Sequence, residues 1–141
     1  ARDVLTGKTV LRNEATVEAT VSDVPDAHWQ EVVLAMREVM HGPFGTARRS
    51  TQGAAYESAG KTGTAQVVGI AQNATYRAEE LAEEFRDHAL FIAFAPFDAP
   101  RIAVAIIIEN GGSGSGMAAP IARKLFDHFL GVPPPAEAGP G

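Results

Sequence analysis

The 141-residue sequence contains no cysteine. That absence excludes disulfides, thiolate catalysis and zinc sites built on thiolates, and it leaves the redox compartment undetermined. No apolar run approaches the roughly 20 residues that a membrane-spanning helix needs, and these residues contain no signal-peptide pattern. Basic residues are few and, apart from the pairs Arg48-Arg49 and Arg123-Lys124, scattered. A nucleic-acid-binding surface is therefore not expected.

The composition is ordinary for a folded domain, with 45% hydrophobic and 21% charged residues and a net charge of −5. This length is sufficient for one domain with a modest core. The chain begins without Met, in sequence that is typical of a domain interior. We therefore expect a fragment of a longer protein, and a missing targeting segment would then carry no information on location.

Hydrophobic periodicity predicts the main elements. Apolar residues recur at helical spacing between Trp29 and Met40, which predicts a core-facing helix beginning near Asp26 and ending at Gly42-Pro43. A strand is expected over roughly 57–68, and an acidic, polar helix over 79–87.

Two apolar segments, 90–95 and 102–108, are separated by a short turn with a proline at each end, which favours an antiparallel hairpin. The second segment is apolar on both faces, so helices are expected to cover both sides of the sheet. A Gly/Ser loop over 111–116 precedes a final helix. Its predicted apolar stripe consists of Met117, Ile121, Leu125, Phe126, Phe129 and Leu130.

These elements predict an α+β fold of about three antiparallel strands with a packed C-terminal helix. This unit would occupy residues 1–130. Residues 131–141 are rich in proline and glycine, have little to bury, and are predicted to be a disordered tail.

Lys61-Thr62-Gly63-Thr64 is the motif that suggests chemistry. In a strand, Lys61 and Gly63 point to one side and the two threonines to the other. Hydroxyls beside a cation can hold a carboxylate by charge-assisted hydrogen bonds. A mid-strand glycine allows close approach, and an exposed strand edge can pair with an extended peptide. The motif therefore indicates a binding wall for a peptide ending in a carboxylate, although a plain surface strand also remains open.

The run from Ala59 to Val67 resembles the third active-site motif of the penicillin-binding proteins. Further segments resemble that family in the same order, and these are Gly45-Thr46-Ala47, Phe91 to Pro96, Ile106 to Gly112 and Ala118 to Arg123. Asn73 to Tyr76 and Arg86-Asp87-His88 are most similar to the penicillin-binding protein 2 subfamily of class B. The resemblance covers about residues 29–130 and implies the C-terminal part of a transpeptidase domain, in the serine β-lactamase/transpeptidase-like fold.

The resemblance also implies roles for the motif. Lys61 would supply positive potential and hydrogen bonds. Thr62 and Thr64 would bind the substrate carboxylate or its β-lactam equivalent, and Gly63 would leave room for the acyl donor. The backbone N–H of Thr64 would form half of an oxyanion hole. The implied partners are the D-Ala-D-Ala stem peptide of peptidoglycan, β-lactam antibiotics and cell-elongation membrane proteins, at the periplasmic face of the bacterial inner membrane. No cofactor, metal or nucleic acid is implied.

The family's serine nucleophile, general-base lysine and S-x-N motif are expected outside this chain. The sequence has no S-x-N string, and its S-x-x-K string, Ser58 to Lys61, overlaps the predicted strand. That motif needs a helical turn to bring serine and lysine together, whereas a strand separates them. Ser58 is therefore not expected to react, and the fragment alone is predicted to be inactive.

Several alternatives remain open from the sequence. On the same scaffold, the parent could be a DD-carboxypeptidase or a β-lactamase, and the chain could also be a non-catalytic β-lactam receptor or assembly module. Glu84 and His88 are spaced as two metal ligands, but a metal site usually needs three or four. The Gly/Ser loop has a position suited to phosphate binding but lacks both glycine-rich phosphate-binding patterns.

Overall fold

The computed structural model describes residues 5–9, 23–67 and 82–133. Its regular elements are helix α1 (Asp26–His41), strands β1 (Ala59–Ala65), β2 (His88–Ala95) and β3 (Ile102–Ile108), and helix α2 (Ala119–Leu130). The strands form one antiparallel sheet in the order β1-β2-β3. The predicted α+β architecture, the hairpin and the packed C-terminal helix are confirmed. Within the described ranges, no helix has both the length and the apolar character needed to cross a membrane.

The sheet has one covered face and one open face. In the register, Thr62 lies opposite Phe91 and Lys61 opposite Ile92, so each pair shares a face. Phe91 is 1% exposed, whereas Ile92 is 52% exposed. The prediction of helices on both sides is therefore wrong for the described residues. We define the open face by the side chains of Lys61, Leu90, Ile92, Phe94, Ala103, Ala105 and Ile107.

Helix α2 packs on the covered face through two alanines and one phenylalanine. Ala119, Ala122 and Phe126 are buried, together with Ala89 and other residues of β2. Of the predicted stripe, Phe126 is buried, but four members are 41–51% exposed, and these are Met117, Ile121, Leu125 and Phe129. Alanines let the helix lie close to the sheet, so the alanine row faces the core. Gly131, with φ of 72°, ends the helix.

Helix α1 meets the core only near its C-terminal end. Met40 is 2% exposed, while Trp29 and Val32 are 45% and 51% exposed. The predicted end of the helix is confirmed at Gly42, and the helix begins at Asp26 with Pro25, not Asp26, at the N-cap position. The prediction that its whole apolar stripe faces the core is wrong for the described residues, because only Met40, with Val39 beside it, packs in the core.

The predicted acidic helix is replaced, where the structure describes it, by a single 3₁₀ turn at Glu83–Phe85, after which β2 begins at His88. The N-terminal part of that predicted helix, within 68–81, lies outside the described residues. The predicted disordered tail also lies outside them from residue 134 onward.

A buried polar cluster joins α2 to the segment that precedes β1. The guanidinium Nε of Arg123 lies 2.8 Å from both carboxylate oxygens of Asp127, and the Tyr56 hydroxyl donates to Asp127 Oδ1 at 2.8 Å. Arg123 Nη1 also donates to the carbonyls of Ser50 and Gln52. Burial, followed by the hydrogen bond to Asp127, raises the pKa of Tyr56. The cluster thus fixes residues 50–56 on the surface of α2.

Tyr56→Phe is expected to lower the free energy of unfolding by about 1–3 kcal/mol at neutral pH, because it leaves the buried Asp127 with one donor fewer. An unfolded tyrosine ionises near pH 10. Since folding raises this pKa, the stabilising contribution is complete below about pH 10 and is lost as the pH rises further. Urea unfolding of the unsubstituted chain and of Tyr56→Phe, at neutral pH and at about pH 11, measures how the difference in unfolding free energy changes with pH. If the stability difference in favour of Tyr56 grew as the pH rose, the assigned hydrogen bond from the Tyr56 hydroxyl to Asp127 would be contradicted.

Candidate functional site

The motif Lys61-Thr62-Gly63-Thr64 occupies the middle of β1, the terminal strand of the sheet. Within the described ranges, no strand pairs with its outer edge. The predicted motif residues are therefore placed together on a strand whose backbone is available for pairing.

Three tethers fix the chain where it approaches this strand. Tyr56 is bound to Asp127 of α2, and Glu57 forms a two-bond ion pair with Arg37 of α1, in which Nε lies 2.7 Å from Oε2. The backbone N–H of Ser58 donates to His41 Nε2 at 3.0 Å. The hydrogen bond from Arg37 holds the pKa of the Glu57 carboxyl below its usual value. Sequence reasoning assigned no partner to His41, since only the tertiary structure brings residues 41 and 58 together.

The backbone N–H and C=O groups of successive residues in β1 point alternately toward β2 and toward the outer edge. A Cβ atom on Gly114 would overlap the carbonyl oxygen of Leu90 and would lie 2.8 Å from that of Gly63. Both oxygens therefore lie near one point, which requires the paired residues Gly63 and Leu90 to direct their polar backbone atoms toward each other. It follows that Thr62 and Thr64 direct their N–H and C=O groups to the outer edge.

The motif side chains surround this edge. Lys61 extends its ammonium to the carbonyl oxygen of Thr62, 2.6 Å away. The half-buried Thr62 has its hydroxyl oxygen 3.3 Å from that of Thr46, in the predicted Gly-Thr-Ala segment. The side chain of Thr64 is exposed. One edge thus presents a cation, two hydroxyls and backbone groups that pair with no strand of the described residues, a combination suited to an extended peptide with a carboxylate.

Asp87 supports the far end of this strand and was not singled out from the sequence as a site residue. It is 4% exposed, its carboxylate accepts from the N–H of Val67 at 3.3 Å, and its carbonyl accepts from Gly112 at 2.7 Å. Next to it, His88 Nδ1 accepts from the backbone N–H of Asn110 at 2.9 Å. The Arg86-Asp87-His88 segment therefore ties β1 to the loop that follows β3.

The structure also places Ser58 and the Gly/Ser loop, two other features of the sequence. Ser58 is 2% exposed and lies just before β1, outside any helix, so the S-x-x-K string does not form a helical turn. No group of three metal-ligating side chains occurs within 5–9, 23–67 and 82–133. In the Gly/Ser loop, Ser113 Oγ accepts from Gly116 N, and Gly114 packs directly on the backbone of Gly63 and Leu90. These contacts hold the loop against the sheet.

Residues 5–127 match the family described as the penicillin binding protein transpeptidase domain. The chain belongs to this family. It is 42% identical, over 113 residues, to the peptidoglycan D,D-transpeptidase MrdA of Escherichia coli K12, a match that covers 80% of this chain and 18% of the relative. The transpeptidase-domain interpretation of the sequence is thereby confirmed.

Solved structures of penicillin-binding protein 2 (PBP2) have the same fold. The crystal structure of Pseudomonas aeruginosa PBP2 in complex with WCK 5153 matches with a TM-score of 0.62 and 42% identity, covering 82% of this chain and 23% of that one. Helicobacter pylori PBP2, in complex with MreC, matches with a TM-score of 0.63 and 30% identity, covering 75% and 18%. The predicted similarity to the PBP2 subfamily is confirmed. The chain spans about a fifth of the length of these transpeptidases.

Proposed function

We propose that the chain is the substrate-holding part of a peptidoglycan D,D-transpeptidase that cross-links stem peptides through an acyl-serine intermediate. The observation that carries this proposal is the outer edge of β1, where the backbone groups of Thr62 and Thr64 pair with no strand of the described residues and the Lys61 ammonium donates to the Thr62 carbonyl. An extended peptide can pair with such an edge. The family assignment and the similarity to MrdA support the same activity.

In the proposed reaction, the serine hydroxyl is supplied by another part of the whole protein. Its oxygen attacks the carbonyl carbon between the two terminal D-alanines, the C–N bond breaks, and D-alanine leaves with a proton. The amine of a second stem peptide then attacks the ester and releases the serine. The N–H of Thr64 would donate to the oxyanion that forms at each step, and the Thr62 and Thr64 hydroxyls would hold the substrate carboxylate, with Lys61 beside them.

The location and partners form a further part of this proposal. We place the whole protein at the periplasmic face of the bacterial inner membrane, anchored by a segment outside this chain, with a role in cell shape. Peptidoglycan and β-lactams are the proposed ligands, the latter as mimics of the D-Ala-D-Ala end. A PBP2 relative that is 30% identical was solved in complex with MreC, which supports a cell-elongation protein as partner.

Covalent labelling by a fluorescent penicillin tests the proposal. The whole protein is expected to keep the label after denaturation, whereas the 141-residue chain alone should not, because its S-x-x-K string forms no helical turn. Lys61→Ala in the whole protein is expected to slow labelling about 10- to 100-fold, through loss of a charged hydrogen-bond donor.

Lys8→Ala is the matched control, because it removes one exposed lysine that lies outside the β1 motif. It should leave the labelling rate unchanged. An unlabelled whole protein, or persistent labelling of the chain alone, would refute the proposal. Rapid loss of the label by hydrolysis would instead favour a carboxypeptidase or β-lactamase.

A further inference from the structure

A cleft on the surface opposite the open face is lined by residues from the Arg48-Arg49 pair and from the Gly/Ser loop. The proposed transpeptidase site uses neither of these sequence features. The cleft lies between the 3₁₀ turn Arg48–Thr51, which carries the arginine pair, and the start and outer side of α2. Its volume is about 870 Å³. This is within the roughly 300–1,000 Å³ of pockets that hold small organic molecules, and it is larger than a lone ion needs.

The lining of the cleft is positively charged, although the chain as a whole has a net charge of −5. Arg49, Arg123 and Lys124 line it, against one carboxylate, that of Asp127. A concave surface lined by one sign of charge focuses the electrostatic field and attracts ions of the opposite sign. The cleft is therefore a local anion-attracting site on an acidic protein.

The single carboxylate is already neutralised. Asp127 accepts two hydrogen bonds from Arg123 and one from Tyr56, all at 2.8 Å. Arg123 is thereby fixed at the base of the cleft. The side chains of Arg49 and Lys124 are exposed, and neither forms an ion pair within the part of the chain that the structure describes. Two cations consequently remain available to a ligand.

Arg48, next to Arg49 in the chain, does not contribute to the cleft. The side chain of Arg48 donates to the carbonyl of Pro43 at 3.0 Å, and Arg48 does not line the cleft. Of the arginine pair that stands out in the sequence, only Arg49 contributes. The Gly/Ser loop contributes Ser115, and Ser50 lines the opposite side. Two serines therefore lie among the cations, with the Ser115 hydroxyl 3.1 Å from that of Ser113, and serine hydroxyls beside cations suit an anion with several oxygens.

We infer that this cleft binds a phosphate group carried on a larger polar molecule, with Arg49 and Lys124 as the principal cationic contacts. The ligand is either a soluble phosphate ester or the headgroup of an anionic phospholipid, since both present the same oxygens. This inference is independent of the proposed transpeptidase activity, because it uses none of the residues of the β1 edge.

Nuclear magnetic resonance titration of the full 141-residue chain with inorganic pyrophosphate tests the site, with flotation on phosphatidylglycerol vesicles as the second arm. We expect a Kd of about 1 mM or tighter, with shifts concentrated at residues that line the cleft. Arg49→Glu and Lys124→Glu should each weaken binding about tenfold or more, by replacing an attraction with a repulsion.

Arg48→Glu is the matched control, because it makes the same change of charge one residue away but outside the cleft. It should change the Kd by no more than about twofold. The amide spectrum of each variant reports whether the fold is retained. Vesicle binding that is lost with Arg49→Glu, without binding of pyrophosphate, would identify a lipid headgroup as the source. Binding of neither probe, or equal weakening by the Arg48 and Arg49 variants, would overturn the inference.

Discussion

Thr64→Pro in the whole protein is expected to slow acylation by penicillin about a thousandfold, of which about a hundredfold, roughly 3 kcal/mol of transition-state stabilisation, comes from the lost N–H and the rest from the lost hydroxyl. Proline removes the backbone N–H that is proposed to stabilise the oxyanion. Because Gly63 and Leu90 face each other across β1 and β2, the Thr64 N–H points to the outer edge and takes no part in the sheet. Proline is tolerated where the lost N–H faces away from the ladder.

Thr64→Val is the matched control, since it keeps the N–H and removes only the hydroxyl. It should slow acylation about tenfold, through a weaker hold on the carboxylate. Stopped-flow acylation with a fluorescent penicillin separates the two variants. Equal rates for the proline and valine variants would contradict the assignment of the N–H.

The alternating direction of the backbone N–H groups along β1 also affects stability. Gly63→Pro removes an N–H that faces Leu90, so it should lower the unfolding free energy by about 3 kcal/mol. Thr64→Pro should lower it much less. Thermal unfolding of the two proline variants therefore checks the backbone geometry independently of catalysis.

Phe126→Ala is expected to lower the free energy of unfolding of the 141-residue chain by about 3–5 kcal/mol. Phe126 is 1% exposed, packs in the same cluster as Phe91 and contacts the Tyr56 ring edge-on, with centroids 6.3 Å apart. Truncation would leave a cavity between α2 and the covered face of the sheet. Such a loss is a large part of the roughly 5–15 kcal/mol that stabilises a typical domain.

Phe129→Ala is the control on the same helix, because Phe129 is 49% exposed and its ring contacts Arg101 at 5.8 Å. Its truncation should cost no more than about 1 kcal/mol. Guanidinium unfolding followed by circular dichroism measures both. Similar losses for the two variants would show that α2 is rotated relative to the packing described above.

Several features were decided by local sequence. The apolar runs 90–95 and 102–108, joined by a short turn with a proline at each end, predicted the β2–β3 hairpin, because short-range turn geometry and strand propensity act within a few residues. Gly42-Pro43 predicted the end of α1 for the same reason. The Lys61–Thr64 motif, with the segments around it, predicted the family, which the match over residues 5–127 confirmed.

Packing direction depended on contacts that the sequence pattern does not contain. Because β3 is apolar on both faces, its sequence gave no sign that the described helices cover only one face. In α2, the predicted core-facing stripe consisted of large apolar side chains. The buried alanines face the sheet instead, because close approach of helix and sheet requires small residues there. The tethers of residues 56–58 join positions 17 to 71 residues apart, a separation beyond any local signal.

The sequence by itself determined the hairpin, the bounds of α1, the family and the identity of the motif, because each depends on neighbouring residues or on a matching string. Only the tertiary structure decided which face of the sheet is covered. It also decided that Thr62 and Thr64 direct their backbone groups to the outer edge, and that Arg49 meets Lys124 in one cleft. Those features arise from pairing register and long-range packing, which place residues together that the chain holds far apart.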